Sequence, residues 1–524
     1  MLYNNKNLKK NSSLIPLNSV LIFVFFLFFF SWFLNAANII LFLLITPLIG
    51  IFILLIIPEN DQLLLKKSAL FISFLNFIFS IYLLLLFNNQ ISEFQFVNQI
   101  LWVPNLNLNC TVGVDGISLF FVLLTTFLIP LCLLASWDSI KFKIKQYLIL
   151  FLLLEFFLIG VFCILDVFLF YIFFESVLIP MFFIIGIWGS RERKIKAAYF
   201  FFFYTLLGSV IMLIALIYIY SSIGTTDYEL LLTIKLSCKE QKFLWFAFFI
   251  SFAAKVPMLP VHVWLPEAHV EAPTTGSVIL AGILLKLGTY GFIRFLIPLF
   301  PLANEFFYPF IYSLASIGVV YTSFTAIRQT DFKRIIAYTS VAHMNFVVIG
   351  LFSKDSIGIE GALFQSLSHG IVSSALFLII GIVYDRHHTR LVKYYGGLVH
   401  TMPVFVFVFL LFTLANMALP GTSSFIGELL ILISAYSNST TTVLIIGTSM
   451  FVGSCYSLWL FNKIAYGNLK NLYILQFYDL TKREFFVFLP LIILTIIMGI
   501  FPSIVLDPMH FSVNNLLMIL YNAA

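Results

Sequence analysis

Runs of about 20 nearly uninterrupted apolar residues recur from Val20 to Val505, each long enough to cross the hydrocarbon core of a bilayer as a helix. No polar stretch between them is long enough to fold as a separate soluble domain. Lipid offers a peptide group no hydrogen-bond partner, so each run must satisfy its own backbone. The runs are continuously apolar rather than alternating, which selects helices over a barrel. The chain is therefore expected to be an all-α polytopic membrane protein. Of its residues 61% are hydrophobic and 10% charged, against roughly a quarter charged in ordinary soluble domains. The mean hydropathy is +1.06.

The runs predict spans at 18–36, 38–57, 66–87, 116–136, 147–165, 167–187, 195–221, 243–262, 274–298, 306–327, 334–352, 357–384, 402–436, 441–461 and 484–505. Lys and Arg concentrate on the side of a membrane where translocation is not required, so alternate loops test this topology. One side receives Lys6, Lys9, Lys10, Lys66, Lys67, Lys141, Lys143, Lys145, Arg191, Arg193, Lys194 and Lys196. The same side receives Arg328, Lys333, Arg334, Arg386, Arg390, Lys393, Lys463, Lys470, Lys482 and Arg483, for 22 cations in all. The other side has 4: Lys235, Lys239, Lys242 and Lys354. A missed crossing in the middle would scramble this bias, so the basic side is cytoplasmic or matrix. That distribution accounts for the net charge of +6 without a nucleic-acid partner. The five cysteines are scattered, with no CxxC and no histidine at ligand spacing, so no disulfide framework, cluster or metal site is signalled. The 64 phenylalanines, with heavy use of Leu, Ile, Asn and Tyr, suit the AT-rich codons of an organellar gene.

A charge at mid-bilayer costs about 2.5–3.5 kcal/mol on insertion scales unless a partner or a wet cavity compensates it. Four such residues stand near mid-span on four runs: Glu175, Lys255, Lys286 and Glu428. One alone fits a structural ion pair as well as a function; all four together point to an ion path. His343 and His369 lie at similar depth and suit proton exchange, with helix packing against Ser340 or Ser366 as the alternative. Glu155 is read first as structural or as a lateral contact. Asp115, Asp166 and Arg294, near span ends, are expected to cap or snorkel, and His387 and His388 to sit in a solvated loop.

The stretch KVPMLPVHVWLPEAHVEAP (255–273) places Pro257 and Pro260 beside Lys255. Each proline removes a helix donor and clashes with the preceding turn, so the helix should break next to the charge. Five crossings later, ALPGTSSFIGE places Pro420 and Gly421 ahead of Glu428. An odd offset reverses orientation, and broken helices at corresponding positions of opposite topology are the mark of an inverted-repeat transporter. Two charges about 4 Å apart attract by about 4 kcal/mol at an effective dielectric of about 20. Opening and closing a Glu175–Lys255 pair would therefore switch the proton affinity of the lysine.

Longer motifs surround these residues: GVDGISLFF (113–121), FLFYIFFESVLIPMFFIIGIWG (168–189) and VHVWLPEAHVEAPTTGSVILAGILLKLGTYGFIR (261–294). DFKRIIAYTSVAHMNFVVIG (331–350) and LANMALPGTSSFIGE (414–428) follow. From about Ala37 onward the chain resembles the antiporter-like membrane subunits of respiratory NADH:quinone oxidoreductase. The resemblance implies 14 core transmembrane helices with two five-helix inverted repeats and discontinuous helices. It implies a membrane arm that pumps protons while a peripheral arm oxidises NADH and quinone is reduced. It further implies that Glu175 pairs with Lys255, that Lys286 continues a central axis, and that His343 and His369 flank the way to Glu428. Glu428 would end the chain of carriers, where sister members generally have lysine. Neighbouring antiporter-like and accessory subunits and membrane lipids are the implied partners, in the mitochondrial inner membrane. No cofactor is implied here; NADH, flavin, iron-sulfur clusters and ubiquinone would belong to other subunits.

The expected organisation is an N-terminal extension with an extra transmembrane helix (1–37), the antiporter-like domain (38–505) and a short C-terminal tail (506–524). The first of these departs from the family's pattern. A cation/proton antiporter subunit of the Mrp type is the competing reading, although Glu428 and the organelle-like composition weigh against it. An embedded enzyme lacks support, because the sequence has no GxGxxG after a strand, no P-loop, no HExxH and no nucleophile elbow. A purely structural scaffold would not need mid-membrane Lys and Glu.

Overall fold

The chain is described by a computed structural model over residues 38–470 and 478–523. The extra helix expected at 18–36 lies outside the described residues. The apolar runs form α1 (Ile39–Ile56), α2 (Gln62–Leu86), α3 (Gly116–Ala135), α4 (Ile144–Cys163), α5 (Val167–Trp188) and α6 (Lys194–Ile223). A broken helix follows as α7 (Cys238–Lys255) and α8 (Trp264–Glu271). Next come α9 (Thr274–Leu299), α10 (Pro301–Ile327), α11 (Phe332–Leu351) and α12 (Ser356–His387). A second broken helix is α13 (Pro403–Asn416) with α14 (Ser423–Asn438), followed by α15 (Thr440–Ala465), α16 (Lys482–Ile500) and α17 (Ser503–Ala523).

Both breaks fall beside the prolines, as expected; what is corrected is the extent of the span predicted at 243–262, which continues through a second half-helix to Glu271. At the first, α7 stops at Lys255, with Pro257 and Pro260 immediately beyond. The Ala254 carbonyl, orphaned at that helix end, accepts from the Trp264 indole at 2.8 Å. At the second, Ala418 (φ 57) and Gly421 (φ 92) turn the chain between the two helices. A side chain thus satisfies the first broken end.

Within the tail expected at 506–524, residues 506–523 belong to α17. By length and composition α17 is one of 13 helices able to cross a membrane. Its contacts place it otherwise. Midway along it, Ser512 Oγ accepts from the backbone N–H of Gly116, the first residue of α3, at 3.0 Å. His510 Nδ1 lies 2.7 Å from Glu360 in the second turn of α12. Near its end, Leu517, Leu520 and Tyr521 share a cavity with Pro301, Glu305 and Lys354. Alternating crossings put all these partners at the end of the bundle opposite the basic loops. His510 and Tyr521 lie about 16 Å apart along the helix axis, so a helix standing across the bilayer could not hold both at one end of the bundle. Helix α17 lies across that face, which leaves twelve continuous and two broken helices, fourteen crossings among the described residues.

The same face carries a hairpin not anticipated from the sequence, β1 (Gln95–Val103) paired antiparallel with β2 (Leu108–Val114). Asn107 turns it at φ 50, a conformation asparagine tolerates better than most side chains.

At the centre is α9, whose most apolar window is wholly buried. Two π turns, Leu280–Leu284 and Phe292–Leu296, bracket Lys286. Glycine allows the close approach of its neighbours. A Cβ on Gly288 would stand 2.9 Å from the Phe252 carbonyl oxygen and 3.0 Å from the Val256 nitrogen, both backbone atoms of the facing helix end. Gly288→Ala is therefore expected to destabilise the subunit by about 1–3 kcal/mol through overpacking, despite alanine's better helix propensity, and to lower the thermal midpoint of the assembled protein.

Candidate functional site

The six ionisable residues singled out above are buried or nearly so. Lys255 is 3% exposed, Lys286 0%, His369 4% and Glu428 5%. The break after α7 and the tight α7–α9 packing set Lys255 beside the helix that carries Lys286. The Lys286 ammonium reaches back to its own helix, donating to the Ala281 carbonyl at 2.5 Å. Ala281 lies within the first π turn, whose wider spacing suits a bond to a side chain five residues on. On its other side Lys286 Nζ is 2.8 Å from His369 Nδ1 on α12.

The His369 and His343 rings follow, with centroids 5.7 Å apart. His343 Nδ1 is 3.1 Å from Glu428 Oε1, which also accepts from Gln365 Nε2 at 3.1 Å. Lys286, His369, His343 and Glu428 thus form a continuous row across α9, α12, α11 and α14. Beside its Glu428 end is a cavity of about 40 Å³, lined in part by His343, Ser323, Asn416, Ser449 and Tyr456. That is roomy and polar enough for ordered water.

The Glu175–Lys255 pair is looser than the direct contact the resemblance implied. No ion pair within 4 Å joins them among the described residues. Lys255 Nζ donates to the Phe174 carbonyl at 2.8 Å and lies 3.6 Å from the centroid of the Phe174 ring. Glu175 is the next residue, with both oxygens shielded and without a direct hydrogen bond, in electrostatic reach of Lys255 and Ser209. This is the arrangement of an open pair, with the lysine parked on a neutral carbonyl.

Arg294 corrects the snorkelling expectation. It points inward and pairs with Asp115 at 2.5 Å, both side chains 5% exposed. Asp115 also caps α3 in a capping box with Ser118. Asp166 caps α5, accepting from the N–H groups of Phe168 and Leu169 at 2.9 Å. Glu155 is fully buried and accepts from Asn76 Nδ2 at 2.7 Å. Asn76 Oδ1 accepts in turn from Thr46, so this polar link ties α1, α2 and α4 together. His387 and His388 lie at the basic end, and no cluster able to hold a metal occurs among the described residues.

Several buried ionisable groups are not evident from the sequence, Lys333 and His269 among them. Lys333, a loop cation by its sequence neighbours, is 2% exposed. The available signal was its position seven residues before Ser340, on the same buried face of α11. His269 was hidden within a stretch read as extramembrane, because α8 was not foreseen.

Two broken helices, fourteen crossings and a central row of ionisable side chains define an antiporter-type membrane transporter. The chain belongs to the NADH:quinone oxidoreductase/Mrp antiporter transmembrane family, whose sequence profile matches residues 165–453. Within it the chain sorts with the chain 4 type of NADH-ubiquinone oxidoreductase, as Glu428 suggests. The protein of that name from Marchantia polymorpha is 57% identical over 474 residues, covering 90% of this chain and 96% of its own. That from Arabidopsis thaliana is 56% identical with the same coverage.

Among solved structures, a chain of respiratory complex I from Thermus thermophilus with bound NADH superposes with a TM-score of 0.82 at 29% identity. The match covers 91% of this chain and 99% of that one. A chain of the Mrp complex from Dietzia sp. DQ12-45-1b gives 0.81 at 18% identity, covering 92% and 97%. That second likeness shows a shared fold alone.

Proposed function

We propose that the buried row carries protons, with Lys255 and Glu175 as its switch and Lys286, His369, His343 and Glu428 as successive carriers. The protein itself is a proton-translocating membrane-arm subunit of NADH:ubiquinone oxidoreductase, multi-pass in the mitochondrial inner membrane, and its partners are other subunits of that complex. The observation that carries the residue assignment is the unbroken contact from Lys286 through both histidines to Glu428. Each member binds and releases a proton at a nitrogen or carboxyl oxygen, and neighbours lie within direct or single-water reach.

The Lys255 ammonium sits between a neutral carbonyl and a nearby carboxylate. Closing the Glu175 pair would hold its proton by about 4 kcal/mol at 4 Å and an effective dielectric of about 20. Opening it favours release toward Lys286. The redox centres, with NADH, flavin, iron-sulfur clusters and ubiquinone, belong on this reading to other subunits. Neighbouring antiporter-like and accessory subunits and lipids cover the outer surface.

Glu428→Gln keeps the shape of the last carrier and its bond to Gln365 but holds no exchangeable acid proton. In a tractable relative whose complex assembles, this change is expected to slow NADH-driven proton uptake into vesicles by at least about tenfold. Undiminished pumping in Glu428→Gln and in Lys255→Ala would defeat the relay.

A further inference from the structure

We propose that the cavity at the basic end of the bundle binds a zwitterionic phospholipid through its phosphate and primary amine, the head group of phosphatidylethanolamine. The site is separate from the buried row and does not depend on its reading. The cavity measures about 560 Å³, within the range of small-molecule sites. It lies between the end of α3 and the start of α9, and between the end of α12 and the start of α16. Its lining is divided. Leu378, Ile382, Val487 and Phe488 form an apolar inner wall, with Leu378 about 14 Å below the end of α12. The charged residues stand at the mouth, where the helix ends meet the head-group layer.

Three cations at that mouth, Lys141, Arg386 and Arg483, face three anions, Asp138, Asp385 and Glu484. Two pairs close on themselves. Arg483 binds Asp138, and Arg386 Nη2 donates to Glu484 Oε2 at 2.7 Å and to the Asp479 carbonyl at 3.0 Å. One charge of each sign is left over. The side chains of Lys141 and Asp385 make no direct hydrogen bond or ion pair among the described residues, and Arg386 Nη1, shielded from solvent, has no hydrogen-bond partner there.

A single ligand satisfies these groups if it carries both charges. Phosphate oxygens accept from Arg386 Nη1 and Lys141 Nζ, and a primary ammonium donates to Asp385. A doubly anionic head group would instead be repelled by Asp385. Choline has no N–H to give that carboxylate, and Tyr478 alone is too little aromatic wall at the mouth to hold it. A soluble phosphoamine has the same polar chemistry, and water could also fill the mouth. Neither gains from the inner wall, whereas an acyl chain does. That wall assigns the site to a lipid.

The test uses the assembled complex of a tractable relative that carries these residues, held in nanodiscs of phosphatidylcholine. A photoactivatable phosphatidylethanolamine is the probe, and labelled peptides are read by mass spectrometry. Labelling is expected around Leu378 and Val487, displaced by unlabelled phosphatidylethanolamine and at least about tenfold less effectively by phosphatidylcholine. Asp385→Asn is expected to weaken labelling by at least about tenfold, and Lys141→Ala, on an exposed loop, by about threefold. Val487→Trp, which fills the inner wall, is expected to abolish it. Absence of labelling in the parent, or full labelling in any variant that assembles, overturns the proposal. Should the two buried-site variants not assemble, Lys141→Ala decides alone. Displacement by phosphoethanolamine as effective as by the lipid would give the site to a soluble phosphoamine and overturn the lipid assignment.

Discussion

Lys286→Met is expected to leave the complex assembled and to reduce NADH-driven proton translocation on the order of a hundredfold, the contribution typical of a positioned proton-transfer group. The two consequences have separate physical origins. Lys286 is fully buried with no anion in contact, its ammonium resting on the Ala281 carbonyl and on His369 Nδ1. Replacing a buried charge by an apolar chain of similar length removes a desolvation penalty, so the fold is not expected to suffer. The row, by contrast, loses the group that joins α9 to His369. Dye-quench measurements on vesicles, alongside native gels for assembly, separate the two. A methionine complex that pumps at full rate would show that protons bypass α9.

The second large effect concerns stability. Asp115→Ala leaves the Arg294 guanidinium buried without its anion, and removing one partner of such a pair costs about 3–5 kcal/mol. Loss of the α3 capping box adds about 1 kcal/mol. The expected result is failure to accumulate, or a markedly lower thermal midpoint of the assembled protein. The double change Asp115→Asn with Arg294→Met should recover most of the loss, because no uncompensated charge remains and asparagine still caps. If the single alanine variant is as stable as the parent, the pair is not the inward clamp described here.

These two residues also show the limits of a linear reading. Arg294 stands near the end of its apolar run, where a long basic side chain ordinarily turns toward water. Its inward course follows from packing: Gly291 and Gly288 bring α9 against α7, and the N-terminus of α3 presents Asp115 from 179 residues away. Lys333 was misplaced for a related reason. Its neighbours Asp331 and Arg334 are those of a basic loop, and only the turn from α8 into α9 encloses the amine. The two prolines after Lys255 did announce a break, but not that eight residues beyond it form another helix in the bundle. Equally, no local pattern distinguishes a last apolar helix that crosses from one that lies flat; the contacts of His510 and Tyr521 with a single face do.

What the sequence by itself determined is the helical class, the crossings between Ile39 and Ile500, their orientation, the positions of the two breaks, and which charges stand at membrane depth. Those properties arise residue by residue, from the free energy of placing each run of side chains and each peptide bond in lipid, without reference to distant segments. Tertiary structure alone decided that Lys286, His369, His343 and Glu428 meet, that Lys255 rests one residue away from Glu175, and that α17 covers an end face. Such contacts depend on how closely helices far apart in the chain approach, and lipid, which is as apolar as leucine, sets no preference among those approaches; small residues and buried polar partners do.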